Sequence, residues 1–153
     1  MNAKLDNYLC KKYPKIFVDR NEPPHKSCMM WGFPGDGWFH LINNLCQCIQ
    51  NHIDNSRGNV PQVVALQVKE KYSTLRFYYS GGDAVINGMV ELAEEMSYHI
   101  CEECGAFNET VCRNSTVWLL TKCSKCAEKY NKTYFEEYSK NVDKELKEIF
   151  RSL

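Results

Sequence analysis

Cys101-Glu102-Glu103-Cys104-Gly105 and Thr121-Lys122-Cys123-Ser124-Lys125-Cys126 decide how this chain is read. Each stretch carries a Cys-x-x-Cys pair, and the 18 residues between Cys104 and Cys123 fall inside the spacing of a four-thiolate zinc site. Two residues between paired cysteines let a tight turn aim both sulfurs at one ion. Two pairs then supply the four soft ligands that Zn²⁺ takes in a closed tetrahedral site. Gly105 suits the turn after the first pair, because glycine tolerates positive φ. Between the pairs, Thr110-Val111-Cys112 and Thr116-Val117-Trp118-Leu119-Leu120 read as hairpin strands turning at Asn114-Ser115. The pattern points to a zinc ribbon with Cys101, Cys104, Cys123 and Cys126 as ligands. The competing readings are two disulfides or four buried thiols.

Working outward, the chain is long enough for one ordinary core with the ribbon attached to it. Its formal net charge of zero gives no global attraction to nucleic acid or anionic membrane. No segment approaches 18 consecutive apolar residues, and residues 1–7 lack the apolar region of a secretory signal. A cytoplasmic setting is therefore expected. There, metal binding and core burial explain nine cysteines better than disulfides do.

Leu9 lies in a predicted short helix that stops near Tyr13-Pro14, since a residue before proline avoids helix. Trp31-Gly32-Phe33-Pro34-Gly35-Asp36-Gly37-Trp38 is a turn-rich loop. Leu41, Ile42, Leu45, Ile49 and Ile53 recur at helical spacing and predict a helix over about 37–53, with Asp36 as its cap. Val63 to Val68 and Leu75 to Tyr79 predict two strands joined at Glu70-Lys71-Tyr72-Ser73. Asp83 is placed to cap a helix bearing Ile86, Met89, Val90, Ala93, Met96 and Ile100. Tyr130, Tyr134, Tyr138, Val142, Leu146 and Ile149 predict a long amphipathic helix over 128–153, which packs on the core or seams a homo-oligomer.

Four motifs together resemble one family. They are Gly35-Asp36-Gly37-Trp38-Phe39, Lys69-Glu70-Lys71-Tyr72-Ser73-Thr74-Leu75-Arg76-Phe77-Tyr78, Cys101-Glu102-Glu103-Cys104-Gly105 and Thr121-Lys122-Cys123-Ser124-Lys125-Cys126. The chain is similar over about 22–127 to uncharacterised small phage and prophage zinc-ribbon proteins. Ser73 departs from the pattern by standing where a turn glycine is expected. The resemblance implies a viral setting, in an infected or lysogenic host cell, and supplies no reaction and no catalytic residue.

On strands, Lys69 and Lys71 share a face, as do Arg76 and Tyr78. With Tyr72, Trp31 and Trp38 they form the candidate ligand site, suited to a phosphate beside a stacked ring. Solvated strand faces and aromatics that staple a loop are the plainer accounts. His25, Cys28 and His40 could make a Cys–His nucleophile, but a free cysteine is more often inert. His99 could replace a cysteine ligand, although four thiolates already suffice. A closed Cys₄ site leaves no coordination position for catalysis. Around the ribbon, basic and acidic side chains nearly balance, and the metal centre itself adds a charge of about −2, which disfavours binding to a polyanion.

The expected fold is α+β: a core over 1–100, a ribbon over 101–127 and a terminal helix over 128–153. The expected function is a non-enzymatic accessory protein that binds a host protein or other partner, with Zn²⁺ structural. A small-nucleotide binder, such as one taking a cyclic nucleotide immune signal, is the first alternative. A ribbon-based nucleic-acid binder is the second.

Overall fold

A computed structural model describes residues 1–107, 111–114, 120–130 and 135–136. Helix α1 (Ala3–Lys12) begins at Asn2, whose side chain accepts from the amides of Lys4 and Leu5, and ends at Tyr13. Arg20 grips Asp6 of α1 with two nitrogens, at 3.1 and 2.7 Å, and donates to the Met30 carbonyl, which ties α1 to the 3₁₀ turn Cys28–Trp31.

Helix α2 (Phe39–Asn55) buries Leu41, Ile42, Leu45, Cys46, Ile49 and Ile53 on one side, as the three-and-four spacing requires. The exposed Cys48 faces away from Cys46. Burial pushes the Cys46 thiol up, so it packs as a small apolar group. The expected cap is not made. Asp36 lies inside a 3₁₀ turn, Asp36–Trp38, and its carboxylate accepts instead from the Asn2 amide at 2.6 Å and from Asn2 Nδ2 at 2.7 Å. The turn carries Asp36 away from the free amides of α2 and toward the start of α1.

Strands β1 (Val64–Lys71) and β2 (Thr74–Ser80) form an antiparallel hairpin with a bulge between Ala65 and Gln67. Its turn is shorter than expected, because pairing continues to Lys71 opposite Thr74 and leaves only Tyr72-Ser73 outside. Both residues have positive φ, +53° and +65°, the geometry of a two-residue turn that matches the twist of its strands. Non-glycine residues resist that geometry. Local bonds offset the cost: Glu70 Oε1 accepts from the Ser73 amide, and Ser73 Oγ donates to the Tyr72 carbonyl.

Helix α3 (Ala84–Met96) starts at Asp83, which accepts from the Ile86 amide as expected. It seals the outer edge of β2. Glu94 accepts from the Phe77 amide at 2.9 Å, and Ser97 Oγ accepts from the Leu75 amide at 2.9 Å. The opposite edge is partly closed where the Ala65 amide donates to the Ile16 carbonyl. Between helices and hairpin, Leu9, Ile16, Met29, Trp38, Ile42, Ile49, Leu75, Phe77 and Ile86 make one core. The architecture is α+β.

Beyond the 3₁₀ turn Ser97–His99, strand β3 (Val111–Asn114) pairs with β4 (Thr121–Cys123) and β5 (Phe135–Glu136) in the order β4-β3-β5. The partner of β3 therefore sits at 121–123, later than the expected 116–120, and Asn114 belongs to the strand; 115–119 lie outside the described residues. A short helix α4 (Ser124–Ala127) and a 3₁₀ turn Glu128–Tyr130 follow β4. At 135–136 the described chain is strand rather than the expected helix, and the rest of 131–153 lies outside the described residues.

Gly35 and Gly37 let the loop before α2 pack directly against residues 101–105. The Gly37 amide donates to the Glu102 carbonyl at 2.8 Å, and a Cβ on Gly37 would stand 2.1 Å from the Cys101 carbonyl oxygen and 2.4 Å from the Gly105 nitrogen. These neighbours are backbone and cannot rotate away. Gly37→Ala is expected to cost at least about 2 kcal/mol in denaturant unfolding. Gly88→Ala, in α3 with open space around it, is expected to stabilise by roughly 0.5–1 kcal/mol.

The Asn2 side-chain and backbone donors hold the Asp36 carboxyl below its ordinary value. Its contribution to stability is therefore present above the unfolded aspartate pKa and is lost as pH falls through the lower folded value. Asn2→Asp keeps a capping oxygen but removes the amide donor. NMR titration of Asp36 in that variant should show its midpoint rising toward or above the usual value of about 3.9.

Candidate metal centre

The sulfurs of Cys101, Cys104, Cys123 and Cys126 lie within 4.8 Å of one another, and no other such group of His, Cys, Asp or Glu occurs among the described residues. Cys104 Sγ and Cys123 Sγ are 3.7 Å apart. Tetrahedral bonds of 2.3 Å would put each pair of sulfurs about 3.8 Å apart, whereas a disulfide needs about 2.05 Å. None of the four is disulfide-bonded. The geometry fits four thiolates around one ion.

Local chain geometry aims these sulfurs. After Cys104, Gly105 takes φ +75°, and its amide donates to the Cys101 carbonyl at 2.8 Å, which closes the first knuckle. Backbone amides of Glu103, Cys104 and Cys123 point at the Cys101 sulfur, and that of Ala106 at the Cys104 sulfur, all contacts that favour thiolate. Burial opposes it and pushes the Cys101 and Cys126 thiols up. Four adjacent thiolates, all but that of Cys104 buried, would repel strongly without a cation, so this donor set is suited to a metal ion.

The centre is built into the core. Trp38 is fully buried, and its indole nitrogen donates to the Ile100 carbonyl at 2.9 Å, immediately before Cys101. The Glu102 amide donates to the Thr121 carbonyl at 2.9 Å, and Thr121 Oγ1 donates to the Ser73 carbonyl at 2.6 Å. One chain of bonds thus joins the first knuckle, β4 and the hairpin turn. Outside the sulfurs, Glu103 accepts from Lys122 at 2.8 Å and Lys129 at 3.2 Å. Glu102 accepts from the Gly35 amide through Oε1, and burial pushes its carboxyl up. His99 stands edge-on to Phe107 and is not part of the sulfur cluster.

Of the candidate ligand residues, Lys69 lies directly opposite Arg76, and Tyr78 opposite Gln67, so the hairpin does bring Lys69, Lys71, Arg76 and Tyr78 to one face. Lys69 Nζ sits 5.6 Å from the centre of the Tyr78 ring, and Lys71 Nζ 5.4 Å from that of Tyr72. Arg76 is held by Glu94 at 3.2 Å. Trp38, with no surface, has nothing to offer a ligand; it is the loop's anchor in the core. Trp31 is 72% exposed. Next to Lys69 and Tyr78 runs a groove of about 340 Å³, lined also by His25, Lys26, Cys28, Leu66 and Gln67. Sequence pattern did not place it, because the bulge that turns Leu66 outward has no signature in this stretch.

No family model, curated protein or solved structure matches the chain. No helix among the described residues is long and apolar enough to cross a membrane.

Elemental analysis of purified protein is expected to find one equivalent of divalent metal per chain. Cys101→Ser and Cys126→Ser should abolish it. Stripping the metal with a chelator should lower Tm by roughly 10 °C, as expected when about 3 kcal/mol or more of site energy is lost.

Proposed function

We propose that this chain is a non-enzymatic accessory protein of phage or prophage type, in which zinc is structural and the outer face of the β1–β2 hairpin binds a host protein or other partner. Four thiolates at tetrahedral spacing match the preference of Zn²⁺, and a complete set leaves no open position for substrate. The viral setting, in the cytoplasm of an infected or lysogenic cell, rests on the motif likeness.

One observation carries the binding reading. The hairpin is tied down along one side and displays its other side. Glu70, Ser73, Leu75, Arg76 and Phe77 are committed to the turn, α3 and β4. Tyr72 and Tyr78 are 67% and 41% exposed next to Lys71 and Lys69. Beside them, the turn that bears Trp31 packs against β1. Exposed tyrosines on a firmly paired hairpin are of the residue type that anchors protein interfaces.

The groove supports a second reading. Lys69, Lys26 and His25 line it beside the Tyr78 ring, with Lys26 also paired to Glu22 at 3.0 Å, a cationic and aromatic lining that suits a small nucleotide. Tyr72→Ala/Tyr78→Ala protein should lose specific partners captured by the parent from a bacterial host lysate, with metal content and Tm unchanged. Thermal shifts with mono- and cyclic nucleotides test the second reading. A shift abolished by Lys69→Ala would favour it over a protein partner, and no shift with any nucleotide would dismiss it.

A further inference from the structure

On the reading that the four sulfurs hold one ion, we propose that hydrogen peroxide oxidises Cys104, which Cys123 then resolves as a disulfide with loss of the metal. Of the four residues Cys104 alone is exposed, whereas Cys101, Cys123 and Cys126 are 0%, 4% and 5% exposed. A thiolate sulfur is the nucleophile toward a peroxide, and exposure decides which one is struck first.

The chain also places the second sulfur. The Glu102 amide donates to the Thr121 carbonyl at 2.9 Å, and Glu103 pairs with Lys122 at 2.8 Å. The next residues of both stretches are Cys104 and Cys123, whose sulfurs stand 3.7 Å apart. Residues 102–104 thus run in step beside 121–123, and a disulfide needs these sulfurs to close by only about 1.7 Å. Cys101 is held otherwise, with the amides of Glu103, Cys104 and Cys123 pointing at its sulfur.

In the first step the Cys104 thiolate attacks one peroxide oxygen, the O–O bond breaks and hydroxide leaves, giving a sulfenic acid. The Cys123 thiolate then attacks that sulfur, the S–O bond breaks and a second hydroxide leaves as the disulfide forms. Two electrons pass from the sulfur pair to one peroxide, and each hydroxide takes a proton from solvent. Cys101 and Cys126 are then the remaining thiolates, half the set that a closed Zn²⁺ site takes, so the ion is released. The new bond keeps β4 at the first knuckle, while α4, which carries Cys126, loses its tie through the metal.

The test treats the metal-loaded full chain with hydrogen peroxide, follows release with a metal-sensitive dye, and maps disulfides by alkylation and peptide mass spectrometry. Release should track the growth of a Cys104–Cys123 disulfide, and a thiol reductant with added metal should reverse both. Cys104→His keeps a nitrogen ligand in place of the exposed sulfur and should hold its ion at least about tenfold longer. Should that variant not load metal, the disulfide map of the parent decides. Release with Cys101 linked to Cys104, or equally fast release from Cys104→His, overturns the proposal. A loaded chain that keeps its ion while exposed Cys28 and Cys48 are oxidised overturns the oxidation step and leaves the metal centre standing. A chain that carries no metal before peroxide is added overturns both.

Discussion

The Gly37 amide meets the Glu102 carbonyl at 2.8 Å, across an approach so close that neither Gly35 nor Gly37 has room for a Cβ. This backbone-to-backbone contact is the constraint on which the remaining structure depends. It seats the first Cys-x-x-Cys knuckle directly against the loop leading into α2, and buried Trp38 fastens the same loop to the Ile100 carbonyl. Fixing Ile100 and Glu102 in turn fixes Cys101 between them. The sulfur cluster therefore sits against the hydrophobic core, and an ion binding there would hold both this contact and the strands β3 and β4 in place.

A second tie makes the arrangement rigid. Thr121, just before Cys123, donates to the carbonyl of Ser73 at the tip of the hairpin. Most of the Lys69–Tyr78 motif is accordingly spent on architecture: Glu70 stabilises the turn, Ser73 receives β4, and Arg76 pairs with Glu94 across to α3. The outward set of the motif is Lys69, Lys71, Tyr72 and Tyr78. A partner meeting this face would find a hairpin already fixed by α3 and β4, so binding would cost little conformational freedom.

Much of this was legible in the sequence because it is periodic or has fixed spacing. The stripe from Leu41 to Ile53, the alternation in β2, the Asp83 cap and the four cysteines all carry their geometry in their order. Contacts between distant segments were not legible. The pattern suggested that Asp36 caps the next helix, but its partner is Asn2, reached only once the loop folds across α1. Gly35 and Gly37 looked like turn glycines, whereas their role is to let Glu102 and Cys101 approach. Trp38 was open to two readings, a ligand wall or the plainer staple of a loop onto the core, and its complete burial decides for the staple. The second ribbon strand was placed too early because apolar Val117 to Leu120 outweighed the short, polar Thr121–Cys123, whose place is set by pairing with Val111–Arg113.

Exchange of the Trp38 indole proton, followed by NMR before and after metal removal, bears most directly on this account. The indole hydrogen bond sits in the core but ends one residue before Cys101 of the sulfur cluster. Exchange should be slow in the metal-loaded protein and much faster, together with that of the Gly37 amide, once the metal is stripped. Unchanged protection of both protons in metal-free protein would contradict it, showing that core and knuckle hold each other without an ion.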